Sequence, residues 1–227
     1  MGTDNGKTTN TAYIVNISLF ALYAIWCVII FVAHEPWRDE VQSWLLSRDL
    51  DFATLLSQLR YDGHPAGWFL FLWPLAHIGL PFAAQRVLHT MIVLAAGWLV
   101  CFKAPGGLPM KLFILLATPM MYELPALSRN YAMSALALLF MAVCHRGRFG
   151  RRCAAYCAAL FFLINSNIYG AIAGIALLGG EILRLLAIRI FPNISKDTSF
   201  TDPATNQTAI YQSVNKGKNW KKLRRRL

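Results

Sequence analysis

The residues best equipped for chemistry lie between His34 and His64, in the stretch HEPWRDEVQSWLLSRDLDFATLLSQLRYDGH. Asp39 and Glu40 are adjacent there. Neighbouring residues on a helix do not share a face, so the two carboxylates make a poor acid/base couple around one bond. One of them, presented alone, is suited to general-base work: it takes a proton from an acceptor nucleophile while a good leaving group departs without acid assistance. The same two acids at a helix start also read as a capping or salt-bridging pair, with Arg38 or Arg48 as partner.

A second group is Glu123 with Ser128, Arg129, Asn130 and Tyr131, at the junction of two apolar runs. An arginine there is costly unless it faces a cavity or finds an anion, and phosphate matches its planar fork. Snorkelling to the headgroups and pairing with Glu123 are the other readings. Arg86, near the end of another apolar run, raises the same question. His64, in Tyr61-Asp62-Gly63-His64-Pro65, could bind a metal with His34 or the acids, or be a packing residue beside proline. Asn165, Ser166, Asn167 and Tyr169 form a polar knot that reads most simply as a turn. No glycine-rich phosphate loop, zinc-type spacing or nucleophile elbow is present. The spacing assigns no metal ligands and no cofactor, though it admits a divalent cation.

These groups have to be positioned by strongly apolar elements. The 227-residue chain is 56% hydrophobic and 15% charged, with a mean hydropathy of +0.44. That balance belongs to an all-α polytopic membrane bundle rather than a soluble globule. Apolar runs cover 13–33, 65–81, 82–102, 109–126, 130–144, 153–168 and 170–190. The first is too long for a signal-peptide core and reads as a retained span. The run 65–81 is short and carries Pro74 and His77, which suits a helix in the interface or dipping partway. Six crossings are therefore expected in a transmembrane domain over 13–190, after a cytoplasmic N-terminus at 1–12.

Lysine and arginine in short loops set the orientation. The loop 145–152 and the pair Lys103 and Lys111 read as cytoplasmic, which puts the loop 34–81, Glu123 and Arg129 at the outer face. Phe52, Leu55, Leu56 and Leu59 share a helical face, as in a helix lying on the membrane surface. Residues 191–227 read as a basic, disordered cytoplasmic tail. The net charge of +11 is concentrated in that tail, a pattern of topology and not of nucleic-acid binding. Five cysteines fall in or beside apolar runs without ligand spacing, as packing residues do.

In order along the chain, Asp39-Glu40 after the first span, then Tyr61-Asp62-Gly63-His64-Pro65, Ser128-Arg129-Asn130-Tyr131-Ala132 and Asn165-Ser166-Asn167-Ile168-Tyr169-Gly170 resemble the GT-C superfamily. These are polytopic glycosyltransferases using polyprenyl-phosphate sugars, and the likeness is to the bacterial protein O-mannosyltransferase-like and aminoarabinose-transferase-like group. It covers about residues 13–190. The resemblance implies an inverting transferase in a bacterial inner membrane, taking sugar from a polyprenyl-phosphate donor to an acceptor hydroxyl or amine at the outer face. It implies Asp39 as catalytic base with Glu40 tuning it, Arg129 and Arg86 on the donor phosphate, and His64, Tyr131 and Tyr61 lining the cavity. Superfamily members usually continue through further spans, so a fragment or a partner subunit supplying the missing spans is also expected. The rival functions are a non-catalytic lipid-phosphate-binding or translocating protein and an inactive truncated subunit.

Overall fold

A computed structural model describes residues 4–62, 65–145 and 151–190. His64, the centre of the basic loop at 146–150 and the tail at 191–227 lie outside the described residues. Among those described, all regular structure is helical: α1 (Asp4–Ala33), α2 (Arg38–Asp49), α3 (Phe52–Asp62), α4 (Phe69–His77), α5 (Ala83–Lys103), α6 (Leu108–Leu116), α7 (Leu124–Ala126), α8 (Tyr131–His145), α9 (Arg151–Ile164) and α10 (Ile168–Ile190), with a π-helical turn at Pro119–Glu123.

Three stretches are long and apolar enough to cross a bilayer: Asn10–Ala33, Ala83–Lys103 and Ile168–Ala187. They match the expected runs 13–33, 82–102 and 170–190, and each has the length and composition of a membrane span. The other expected crossings are shorter. The run 109–126 is broken where Ala117 leaves helical backbone and where Pro119 and Pro125 remove donors. Tyr131–Cys144 and Ala154–Ile164 are apolar helices below 18 residues.

The chain divides into two units, Met1–Leu177 and Leu178–Leu227. In the first, α5 packs on α1 and on α8, and α8 packs on α9. Tyr23, Cys27, Val93, Ala96, Val100 and Leu124 form the core between them. Gly97 permits the α1–α5 approach, since a Cβ there would stand 2.4 Å from the Tyr23 ring. In the second unit, the described part is the end of α10, where Arg184 pairs with Glu181 at 2.8 Å.

The helices of the loop after α1 are anchored to α4 rather than left loose. Trp44 of α2 is buried with Trp68 and Leu72. Of the expected surface face on α3, Leu55 and Leu59 are buried against Phe69, while Phe52 and Leu56 are exposed. Trp73 Nε1 donates to the Leu50 carbonyl at 3.1 Å, fastening the α2–α3 junction to α4. Asp51 starts α3 by accepting from the backbone N–H of Ala53 and Thr54, both at 3.0 Å. With nine residues, α4 is too short to cross alone. Asn16 and Lys111, the latter expected in a cytoplasmic loop, meet in the interior: Lys111 is 8% exposed and donates to Asn16 Oδ1 at 2.8 Å and to the Cys101 carbonyl at 2.7 Å. A buried ammonium needs such acceptors.

Several backbone groups freed by the broken helix at 117–128 are taken up by side chains from elsewhere. Leu124 N–H reaches Pro119 O in π register, so the Met120 carbonyl would need a donor from Pro125, which has none. Tyr23 OH donates to it instead, at 2.9 Å. Pro125 likewise leaves the Met121 carbonyl without its α-helical donor, and Trp26 Nε1 supplies one at 2.6 Å. The Leu124 carbonyl receives His89 Nε2–H at 2.6 Å. A carbonyl only accepts, so Nε2 carries the proton.

Candidate functional site

The Ser128 N–H, which a continued helix would have aimed at Leu124, donates to Glu40 Oε1 at 2.6 Å. Glu40 is fully buried. Its other oxygen accepts Trp37 N–H at 3.0 Å, closing the first turn of α2. His34 Nε2 stands 3.6 Å from Glu40 Oε1. The capping reading of the acidic pair therefore describes Glu40, while Arg48 pairs with Asp49 at 2.6 Å. That arginine holds the Asp49 carboxyl below its usual range.

Asp39 points the other way, as helical geometry requires of adjacent residues. Its Oδ2 lies 2.5 Å from Arg129 Nη1, across 90 residues of sequence, with the Asp39 side chain 46% exposed and that of Arg129 15%. The structure thus joins a carboxylate and a guanidinium that spacing treats as two separate candidates. Ser43 Oγ donates to the Asp39 carbonyl at 2.9 Å, securing the backbone behind it.

The remaining candidates are spread more widely. Arg86 of α5 donates to the Phe31 carbonyl and, at 3.0 Å, to the His34 carbonyl. Its guanidinium lies 4.6 Å from the centre of the Phe31 ring. It closes the C-terminal end of α1, where a cation suits the helix dipole. Tyr131 begins α8 and packs partly buried against the α1–α5 core. Tyr61 is 78% exposed at the end of α3, with Arg60 stacked over its ring. Among the described residues no group of three His, Cys, Asp or Glu side chains could hold a metal ion.

Two residues of the site escape a reading by motif: Gln85 and His89, both buried on α5. Gln85 Nε2 donates to the carbonyls of Glu40, at 3.1 Å, and Ser128, at 3.0 Å. Their signal in the sequence is an amide and an imidazole four residues apart inside an apolar span, where polar groups persist only with partners. Among the described residues several buried polar atoms have no hydrogen-bond partner, including His34 Nε2, Gln85 Oε1 and Ser128 Oγ, on three residues that touch Glu40. Such spare capacity suits a polar ligand or water.

The polar knot at 165–167 is more than a turn. Asn167 Oδ1 accepts Gly170 N–H at 2.8 Å, capping α10, and its amide donates to Ser134 Oγ at 2.6 Å. Gly67 N–H donates to the Asn165 carbonyl at 2.9 Å. Comparisons with protein-family models, with curated proteins and with solved structures find no match to this chain.

Proposed function

We propose that this chain carries a glycosyl-transfer site of the GT-C kind, using a polyprenyl-phosphate sugar at the outer face of the membrane. The observation that supports this reading is the Asp39–Arg129 pair, a half-exposed carboxylate in contact with a largely covered guanidinium. The donor phosphate displaces Asp39 from Arg129 and takes the guanidinium fork. Asp39, released, accepts the proton of the acceptor hydroxyl or amine as that atom bonds to the sugar's anomeric carbon. The bond from that carbon to the phosphate oxygen breaks, and the polyprenyl phosphate leaves with the electron pair. A single displacement inverts the anomeric centre. On this reading the shorter apolar helices also belong to the membrane, both termini are cytoplasmic, and the membrane is a bacterial inner membrane.

A lipid-phosphate-binding protein without transfer chemistry would use the same Arg129, with Asp39 as a resting counter-ion only. Transfer of radiolabelled sugar from polyprenyl-phosphate donors in proteoliposomes separates the two. Asp39→Asn is expected to lower turnover about 10²-fold or more while donor lipid still binds. No transfer from the unchanged chain would refute the transferase reading, and turnover by Asp39→Asn equal to that of an active unchanged chain would refute Asp39 as its base.

A further inference from the structure

Gln85 stands where the two segments carrying Asp39 and Arg129 meet, and the chemistry above makes no use of it. Both hydrogens of its amide are committed: Nε2 donates to the Glu40 carbonyl at 3.1 Å and to the Ser128 carbonyl at 3.0 Å. Glu40 follows Asp39 in the chain, and Ser128 precedes Arg129. The orientation of the amide is set by these acceptors, because turning it over would aim Oε1 at two carbonyl oxygens. A third bond, Ser128 N–H to Glu40 Oε1 at 2.6 Å, ties the same two dipeptides together. All three bonds lie in the buried interior, and none uses the charged end of Asp39 or Arg129.

That division matters once an anion competes for Arg129. The ion pair has to open for the carboxylate to act, and a site held together by the pair alone would lose its geometry at that moment. We propose that Gln85 is a positioning residue: it keeps the Asp39 backbone in register with Arg129 while the two side chains exchange partners. The proposal rests on the transferase reading. It assigns Gln85 an effect on turnover, where a base a fraction of an ångström out of place is costly, and little effect on donor capture, which depends on Arg129.

The test compares the full chain with Gln85→Met and Gln85→Asn in proteoliposomes containing a polyprenyl-phosphate sugar, with kcat and donor KM measured per folded molecule. Methionine keeps the volume and removes the donor; asparagine keeps the amide and draws it back by one methylene. Amide exchange over 124–131 is followed in parallel, as a readout independent of turnover. The expected result for Gln85→Met is kcat lower by about 10- to 100-fold, donor KM within about threefold, and faster exchange at Ser128. Gln85→Asn should fall between it and the unchanged chain, and it carries the test if Gln85→Met does not fold. Unchanged kcat in a folded variant, or a loss confined to KM, overturns the proposal while leaving the transferase reading intact. Absence of transfer from the unchanged chain overturns that reading, and the role of Gln85 in a reaction with it.

Discussion

Removing the Glu40 carboxylate should cost far more stability than removing its neighbour's. Glu40 is 0% exposed and accepts two backbone N–H groups, from Trp37 at 3.0 Å and Ser128 at 2.6 Å. Truncation by Glu40→Ala leaves the Ser128 donor buried without an acceptor, at roughly 1–3 kcal/mol, and frees the part-buried Trp37 donor at a smaller cost. It also leaves a cavity, so the total should reach about 3–5 kcal/mol. Glu40→Gln keeps the volume and one acceptor oxygen but turns an NH2 toward the second donor, for about 2 kcal/mol. Asp39→Asn breaks a half-exposed pair, and its stability cost should stay below about 1 kcal/mol. Equilibrium unfolding of purified protein in mixed micelles with increasing SDS, followed by tryptophan fluorescence, measures all three. Exchange of the Ser128 amide should accelerate in Glu40→Ala and not in Asp39→Asn. A Glu40→Ala loss under about 1 kcal/mol with Ser128 still protected would refute the account. It would mean that the contact between α2 and the 124–131 segment carries little energy.

Two further outcomes follow from local geometry. A Cβ on Gly67 would lie 2.2 Å from the Asn165 carbonyl oxygen, so Gly67→Ala must part the two backbones and break their hydrogen bond. A loss of about 2–4 kcal/mol is expected in the same unfolding assay. Gly179→Ala in a helix interior, where among the described residues no atom beyond the helix's own backbone and the chain neighbours lies within 4 Å of the new methyl, should be neutral or stabilising, and equal effects at the two positions would contradict this. The Asp51 carboxyl is held below its ordinary 3.8 by the Thr54 hydroxyl, helped by the Thr54 and Ala53 N–H groups. Since the folded value lies below the unfolded one, the cap contributes fully above about pH 5 and fades as pH falls through the lowered value. Amide protection in α3, corrected for intrinsic exchange, should therefore drop on acidification in the unchanged chain and be low and flat in Asp51→Ala. Protection in α3 that ignores pH in both would count against the cap.

The long apolar helices and the opposed directions of Asp39 and Glu40 were legible in the sequence because both are local properties. Membrane insertion sums transfer free energy along a contiguous run, and α1, α5 and α10 follow the runs that start at 13, 82 and 170. Helical spacing alone turns adjacent side chains to different faces. The run at 109–126 was expected as one crossing because its hydropathy is continuous, and the break at Pro119 and Pro125 appears in the structure. What no local property specifies is which freed backbone group meets which side chain. Arg129 finds Asp39 across 90 residues, Gln85 bridges Glu40 and Ser128, and Lys111 turns inward to Asn16. Each pairing depends on which helix ends are brought together, and a buried donor or acceptor bonds whatever complementary group the packing delivers. The sequence therefore determined the apolar helices and the candidate acids and bases. Only the tertiary structure decided that Asp39 and Arg129 are in direct contact, with Glu40 and Gln85 tying their two segments together from within.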